Sequence, residues 1–258
     1  MRLLDAQNEI KVLQMSKTII IIPSRMSASR LKGKPLLEIN NLPIICHVVK
    51  KAKKANIGDV IVATEDKEIV DAVESNGGKA LMTKNHRTGS DRIYEGLKKI
   101  KANDIDYVIN LQGDEPLIDP LDIINLNNLM IKNNSDIGTL AAEIKKDSIL
   151  EDKNIVKVIT KEKLNNKNFS EALNFFRESL STKYFNIYHH IGIYIYKVSI
   201  LEKFINFEQT KNEIENRLEQ LRALDNNIKI MVGLAKSAPI GVDTKEDFLA
   251  IKKIMEYK

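Results

Sequence analysis

Ile19–Leu37 reads IIIIPSRMSASRLKGKPLL: a run of isoleucines ends at Pro23, and a strongly basic loop follows it. Unbroken apolar runs are typical of strands buried in parallel sheets, and open α/β sheets bind ligands beyond the carboxyl ends of their strands. The cations of the loop are Arg25, Arg30, Lys32 and Lys34. Guanidinium and ammonium groups in that place suit a polyphosphate, and a merely solvated basic loop is the alternative of equal weight.

The composition is that of a globular protein with an aliphatic core. The chain has 258 residues, 43% of them hydrophobic and 29% charged, with no tryptophan. This length allows one large domain or two small ones. Its 40 Lys and Arg residues against 35 Asp and Glu leave a net charge of +5. Phosphate or nucleic-acid ligands are compatible with that charge, but the scattered lysines specify neither.

A single cysteine, Cys46, lies in the apolar pattern PIICHVV. An intramolecular disulfide and a multi-cysteine metal site are therefore excluded, and a buried thiol is the simplest prediction. No segment has the length and apolarity of a membrane span, and residues 1–16 contain acids where a signal peptide would be apolar. We expect a cytoplasmic protein without membrane association, with residues 1–16 as a leader before the main domain.

Strand and helix patterns alternate from residue 18 to about residue 133, which predicts a doubly wound, mostly parallel α/β sheet. A strict Rossmann dinucleotide fold is not expected, because GxGxxG does not follow the first strand. The later segments predict a smaller mixed or antiparallel extension, with a charged helix over residues 211–226 and a closing helix over 245–257. We predict one domain over residues 17–258, with an inserted region at about 145–215.

Two acidic turns follow apolar segments, Gln112–Pro116 (QGDEP) and Gly241–Thr244 (GVDT). Asp114 and Asp243 could reach one Mg²⁺ from two strand ends, since Mg²⁺ takes few protein carboxylates and completes its shell with phosphate oxygens and water. The alternatives are a plain polar turn at Asp114 and a helix cap at Asp243, and for each residue alone the alternative is favoured.

A fourth candidate place combines His189–Gly192 (HHIG) with Leu218–Arg222 (LEQLR). Zinc is disfavoured there because no third ligand stands at a recognised spacing. A substrate hydrogen bond or plain packing is favoured for the histidines. Glu219 and Arg222, three residues apart on a predicted helix, could form a surface pair.

Seven segments taken together resemble the 3-deoxy-manno-octulosonate (KDO) cytidylyltransferase family, also called CMP-KDO synthetases. They are IIPSRMSASRLKGKPL, VATEDKEI, TGSDR, NLQGDEP, HHIGIY, LEQLRAL and GVDTKED. Their order is that of the family, and they cover the chain from about residue 18 to its end. The resemblance implies a Rossmann-like nucleotide-sugar transferase fold, CTP and a 3-deoxy-octulosonate sugar acid as substrates, Mg²⁺ as cofactor, a homodimer, and a role in lipopolysaccharide biosynthesis.

The resemblance also implies roles for individual residues. Contacts with the CTP triphosphate are implied for Arg25, Ser29, Arg30 and Lys34. The cytidine end of the site is implied for Gly89, Ser90 and Arg92, and another ligand contact for Gln112. The metal pair is implied to be Asp114 and Asp243, which together with Arg25 and Lys34 form the catalytic set. Sugar-acid contacts are implied for Arg177, His190, Glu219 and Gln220, so the inserted region would serve sugar binding or dimerisation.

The chain departs from the family pattern mainly after Arg177, where Glu178–Ser181 replace an Ala-x-Ile-Pro stretch, and the segment before HHIGIY is short. A modified octulosonate, such as an 8-amino sugar, therefore remains open as the substrate. So do a CTP-binding paralogue without activity and, less favoured by the RLKGKP spacing, a cytidylyltransferase for sialic-type acids. A nucleic-acid-binding module is disfavoured, because Asp114 and Asp243 would then have no task.

Overall fold

The isoleucine run forms a buried strand, Thr18–Ser24, in the computed structural model, which describes residues 16–27, 30–101, 104–178 and 186–256. Ile20, Ile21 and Ile22 are each 0% exposed, as expected for a strand between neighbours on both sides. Cys46 is also buried, which confirms the prediction for the thiol. None of the described helices combines the length and apolarity needed to cross a membrane.

Eleven strands and nine α-helices lie within the described residues. The strands are β1 Thr18–Ser24, β2 Glu38–Ile39, β3 Leu42–Pro43, β4 Val60–Thr64, β5 Ala80–Met82, β6 Tyr107–Asn110, β7 Ile137–Ala142, β8 Lys157–Thr160, β9 Ser170–Phe176, β10 Ile187–Lys197 and β11 Ile230–Leu234. The helices are α1 Ile44–Ala55, α2 Lys67–Ser75, α3 Gly89–Ile100, α4 Pro120–Asn133, α5 Ser148–Glu151, α6 Val198–Asn206, α7 Lys211–Asn216, α8 Leu221–Asp225 and α9 Lys245–Glu256.

One compact unit consists of Thr18–Ile124 and Pro239–Lys258. Four of its strands lie in the order β5-β4-β1-β6, and every neighbouring pair is parallel. The alternation of strand and helix predicted this arrangement, because parallel neighbours need a crossover between them. Since parallel strands end at the same edge of a sheet, the loops that follow β1, β4 and β6 come together there.

The other compact unit is built from Asn125–Ala238. Its strands lie in the order β10-β7-β11-β9-β8, and β8 also pairs with β10, so the pairing closes on itself. Only β7 and β11 are parallel; the other pairs are antiparallel. The prediction of a mixed or antiparallel part is confirmed, since only one pair among its five strands is parallel. The insertion at about residues 145–215 stays a prediction.

The long charged helix predicted for residues 211–226 is wrong. Two short helices, α7 and α8, occupy that stretch, and Arg217 between them adopts a left-handed conformation with φ 53°. The break lets Leu218 and Leu221 pack inside, at 4% and 1% exposure. It also brings the Arg222 side chain back to Glu213, so this pair replaces the continuous helical face that the charges suggested. Strand β9 and helix α6 are further elements that the pattern did not predict.

Candidate active site

A pocket of about 270 Å³ lies at the carboxyl-end edge of the parallel strands. Its wall includes the loops after β1 and β6 and the start of α3. It is lined by Pro23, Ser24, Arg25, Arg30, Lys34, Pro35, His86, Arg87, Thr88, Gly89, Arg92, Gln112, Gly113, Asp114 and Asp243. Three of the four predicted loop cations are among these residues, whereas Lys32 is exposed elsewhere on the loop. Ser29 lies outside the described residues.

The backbone on either side of Lys34 is fixed by a glycine and a proline. Gly33 has φ 71°, a left-handed conformation that glycine adopts without strain. Pro35 is the second residue of the short 3₁₀ turn Lys34–Leu36, and its fixed φ suits the first turn of a helix. The side chain of Lys34 is only 13% exposed, so its ammonium group must find partners in the protein.

Those partners are the two predicted metal ligands. The Nζ of Lys34 donates to Asp114 Oδ2 at 2.5 Å, to Asp243 Oδ1 at 3.2 Å and to the carbonyl of Val242 at 2.9 Å. Burial lowers the pKa of Lys34, but the charges and hydrogen bonds of Asp114 and Asp243 outweigh it, so the pKa is raised overall. The ammonium is therefore firmly charged. Lys34, Asp114 and Asp243, three members of the implied catalytic set, therefore lie together.

Asp243 is not the cap of the last helix. Thr244 Oγ1 accepts a hydrogen bond from the Asp247 amide at 3.1 Å, while Asp247 Oδ2 accepts from the Thr244 amide at 2.8 Å. This reciprocal pair is a capping box, and it satisfies the first turn of α9. The carboxylate of Asp243 is thus available to bind Lys34 and, at 2.8 Å, Arg30.

A third carboxyl group, that of Glu115, lies buried beside the two aspartates. Its Oε2 has no hydrogen-bond partner among the described residues. Burial, together with the charges of Asp114 and Asp243, raises the pKa of Glu115 to about 8. The amide of Val242 donates to the Asp114 carbonyl at 2.8 Å and so fastens the two acidic turns together. Glu115 is therefore mostly protonated near neutral pH, and the negative charge beside Lys34 comes from Asp114 and Asp243.

No three His, Cys, Asp or Glu side chains in the described part of the chain form a group that could hold a metal ion by themselves. Asp114 and Asp243 nevertheless share one ammonium partner, and Glu115 adds a buried carboxyl group beside them. These are hard oxygen donors, which suit Mg²⁺ when phosphate oxygens and water supply the remaining ligands.

The TGSDR segment begins helix α3. Thr88 is its N-cap, since Thr88 Oγ1 accepts from the Asp91 amide at 3.1 Å. Gly89 lines the pocket and Ser90 is buried at 1% exposure.

Arg92 is 2% exposed. Its guanidinium donates to Glu65 Oε2 at 2.6 Å, to Thr83 Oγ1 at 2.6 Å and to the Lys84 carbonyl at 3.3 Å. Arg92 thus ties α3 to the ends of β4 and β5, and its predicted contact with cytidine stays a prediction.

Two polar residues of the pocket, His86 and Arg87, lie in none of the segments that the sequence analysis singled out. His86 Nε2 is hydrogen-bonded to Glu95 Oε2, and the same oxygen accepts from the Lys84 amide at 2.9 Å. Burial raises the pKa of Glu95, but hydrogen bonds from Lys99, His86 and the Lys84 amide outweigh burial. The pKa of Glu95 is therefore lowered to about 2. The position of both missed residues directly before TGSDR is the signal that could have indicated them.

The predicted sugar-acid residues belong to the unit Asn125–Ala238. His190 is 8% exposed, packs edge-on against Phe175 at a centroid distance of 5.1 Å, and lies 3.0 Å from Thr139 Oγ1. Thr139 also lies 2.7 Å from the carbonyl of Ile193, which can only accept. The hydroxyl proton therefore goes to Ile193, and Nε2 of His190 donates to Thr139. Burial lowers the pKa of His190 to about 3, so its ring is neutral.

Arg177 and the LEQLR segment are also within this unit. The guanidinium of Arg177 donates to the Asn154 carbonyl at 2.9 Å. Arg222 is 4% exposed and binds Glu213 through two hydrogen bonds, of 2.8 and 2.5 Å, so its possible pair with Glu219 is not a surface pair. Glu219 lies 3.7 Å from Arg222 as a secondary contact. Gln220 is half-buried at the start of α8.

Gln112, which lies in the other unit, donates a hydrogen bond to Asn110 at 3.2 Å.

A parallel sheet with a cation-rich pocket at the carboxyl ends of its strands is the arrangement expected of a nucleotidyltransferase. Comparisons with known proteins agree with this class. The sequence model of the Cytidylyltransferase family matches residues 19–230. A solved cytidylyltransferase from Leptospira borgpetersenii shares the fold, with a TM-score of 0.63 at 19% identity over 94% of this chain and 88% of its own.

The nearer relatives define the family further. The 3-deoxy-manno-octulosonate cytidylyltransferase of Bartonella tribocorum is 41% identical over 92% of this chain and 98% of its own length. That of Rhodopseudomonas palustris is 40% identical over 94% and 99%. A solved CMP:2-keto-3-deoxy-manno-octonic acid synthetase, complexed with CTP, has a TM-score of 0.85 and 34% identity over 94% of this chain and 99% of its own. The chain belongs to the 3-deoxy-manno-octulosonate cytidylyltransferase family.

Proposed function

We propose that the protein transfers CMP from CTP to the anomeric hydroxyl of 3-deoxy-manno-octulosonate and releases pyrophosphate. The observation that carries the proposal is the pocket in which Lys34 bridges Asp114 and Asp243. Arg25, Arg30, Arg87 and Arg92 line the same pocket. Such a density of guanidinium groups suits a triphosphate, and family membership supplies the nucleotide and the acceptor. The two acids distinguish this pocket from a plain anion-binding surface.

The reaction is an in-line displacement at the α-phosphorus of CTP. The sugar's hydroxyl oxygen forms the new bond to phosphorus, the bond from phosphorus to the pyrophosphate oxygen breaks, and the hydroxyl proton is lost. Negative charge builds on the phosphoryl oxygens and on the leaving pyrophosphate. Arg25, Arg30 and Lys34 are positioned to stabilise that charge, because positioning and electrostatics dominate phosphoryl chemistry.

Mg²⁺ is proposed as the cofactor, held by Asp114 and Asp243. When bound, it would neutralise phosphate charge and orient the triphosphate. Asp243 is fit for this because the capping box at Thr244 and Asp247 leaves its carboxylate available. Lys34 stays protonated beside both aspartates and so balances their charge when they bind no other ligand.

The sugar acid is proposed to contact Arg177, His190, Glu219 and Gln220, in agreement with the resemblance. The neutral, buried His190 offers its Nδ1 as a hydrogen-bond acceptor for a sugar hydroxyl. The departure from the family pattern after Arg177 falls largely on residues 179–185, outside the described ranges. An 8-amino octulosonate therefore remains an alternative acceptor. A homodimer, a cytoplasmic location and a role in lipopolysaccharide biosynthesis stay predictions.

The test is pyrophosphate release from CTP, measured with Mg²⁺ and with KDO, 8-amino-KDO or a sialic acid as acceptor. We expect turnover to be highest with an octulosonate, and we expect removal of Mg²⁺ with EDTA to abolish it. Asp114→Asn and Lys34→Ala should each lower kcat by about 10²-fold or more. Near wild-type turnover in both variants would show that the site is assigned wrongly, and no turnover with any acceptor would indicate a paralogue that only binds CTP.

A further inference from the structure

The segment VATEDKEI contributes to the family resemblance, yet apart from Glu65, which binds Arg92, none of its residues has a role in the site as described. Its Thr64 is the last residue of β4 and is paired in register with Ser24, the last residue of β1. The turn after β4 therefore lies next to the basic loop that follows β1. The amide of Asp66 donates to Thr64 Oγ1 at 3.1 Å, which fixes the shape of this turn.

Asp66 stands at the N-cap of helix α2, but its carboxylate is directed elsewhere. Among the described residues no hydrogen bond joins that carboxylate to the first turn of α2. Its Oδ2 instead accepts from the backbone amide of Met26 at 2.7 Å, across 40 residues of sequence. A short bond from an amide to a carboxylate is among the stronger hydrogen bonds of a protein. Asp66 therefore binds the basic loop instead of capping its own helix.

Met26 passes this restraint along the loop. Its carbonyl accepts a hydrogen bond from the amide of Gly33 at 3.1 Å, so the loop is closed at its base. Gly33 immediately precedes Lys34, whose ammonium group meets Asp114 and Asp243, and Arg25 immediately precedes Met26. The peptide of Met26 thus fixes where two of the pocket's cations leave the backbone.

We propose that Asp66 is a positioning residue of the nucleotide site, acting through the Met26 amide on the cations of the basic loop. The inference rests on the proposed function only in taking CTP as the ligand of this pocket. Without the carboxylate, the Met26 amide loses its acceptor and the base of the loop loses its attachment to β4. Arg25 and Lys34 would then occupy their binding positions for a smaller part of the time, which weakens CTP binding.

The experiment measures CTP binding by titration calorimetry, with Mg²⁺ and without any sugar acid. Asp66→Ala should weaken CTP binding about tenfold, as expected for the loss of one charge-assisted hydrogen bond. Asp66→Asn should bind within about threefold of the wild type, because its amide oxygen can still accept from Met26. Asp66→Ser should bind as weakly as the alanine variant, since a serine can cap α2 but is too short to reach that amide.

Asp71→Ala is the matched control. Asp71 lies on the same helix, is exposed, and pairs with Lys67 one turn away, so this variant makes the same charge change without touching the loop. We expect it to bind CTP as the wild type does. If the alanine variant does not fold, the CTP affinity of the serine variant is compared with that of the wild type instead.

Wild-type affinity in Asp66→Ser, or an equal loss in Asp71→Ala, would overturn the inference. The proposed function fails differently, by absence of pyrophosphate release with octulosonates, and such a failure would leave the comparison of CTP affinities intact. In steady-state assays we expect Asp66→Ala to raise KM for CTP while KM for the sugar acid stays within about twofold, since no acceptor contact is lost. A parallel rise in both constants would indicate a general structural effect and would also overturn the inference.

Discussion

Asp243→Asn separates a catalytic role from a structural one at the position where sequence reasoning favoured a helix cap. The asparagine keeps the size of the side chain and removes its charge. Lys34 keeps its bonds to Asp114 and to the Val242 carbonyl, so no buried ammonium is left alone. The cap of α9 is untouched, because Thr244 and Asp247 form it.

The expected changes follow from the exposure of the groups involved. The side chains of Arg30 and Asp243 are 55% and 48% exposed, and ion pairs of that kind contribute about 0–1 kcal/mol to stability. We therefore expect the free energy of unfolding to fall by no more than about 1 kcal/mol. For activity, the loss of a charged ligand at the reacting phosphates should lower kcat by about 10²-fold, equivalent to about 2.7 kcal/mol in the transition state.

Pyrophosphate release with CTP and KDO measures kcat, and urea unfolding measures the free energy of unfolding. Thr244→Ala is the control, since it breaks the capping box and should cost about 1 kcal/mol of stability while kcat stays within about threefold of the wild type. The two variants should thus be similar in stability and far apart in rate. Wild-type turnover in Asp243→Asn would refute the reasoning, as would an equally large loss of rate in Thr244→Ala.

Three further predictions concern single side chains elsewhere in the chain. Glu213→Gln should lower the free energy of unfolding in urea by about 3–5 kcal/mol, because it breaks the buried pair with Arg222, whereas Glu219→Gln, 3.7 Å from the same guanidinium, should change it far less. Gly89→Ala should fold normally, because the added Cβ would lie 3.4 Å from its nearest neighbour. If the Gly89 backbone contacts CTP closely, the added methyl group should weaken CTP binding about tenfold in calorimetry. Unchanged binding would contradict that role. His190 has a pKa of about 3 in the folded protein and about 6.5 in the unfolded chain. Its contribution to stability is therefore complete above pH 6.5 and is lost as the pH falls toward 3, by at most about 1.4 kcal/mol per pH unit. His190→Asn should make the free energy of unfolding depend less steeply on pH between pH 7 and 4, and an unchanged dependence would contradict the assignment.

Short-range patterns predicted much of the parallel unit. The isoleucine run is a buried strand, helices α1 to α3 alternate with strands as predicted, and the closing helix begins at Lys245. These features depend on local backbone preferences and on the spacing of apolar side chains, which a sequence displays directly. Predictions were poorer for residues 137–234, where antiparallel neighbours come from distant parts of the chain. Strand β9, for example, borders both β8 and β11.

The sequence alone could name the chemical groups of the site, because motifs at strand ends list the cations and carboxylates that a triphosphate and Mg²⁺ require. It could not decide what each group binds. Asp243 and Asp66 both stand at the start of a helix, where a cap is the expected role, and only the tertiary structure directs their carboxylates to Lys34 and to the Met26 amide. The reason is physical: a hydrogen bond across 40 or 209 residues depends on which strands lie side by side, and no local pattern encodes that.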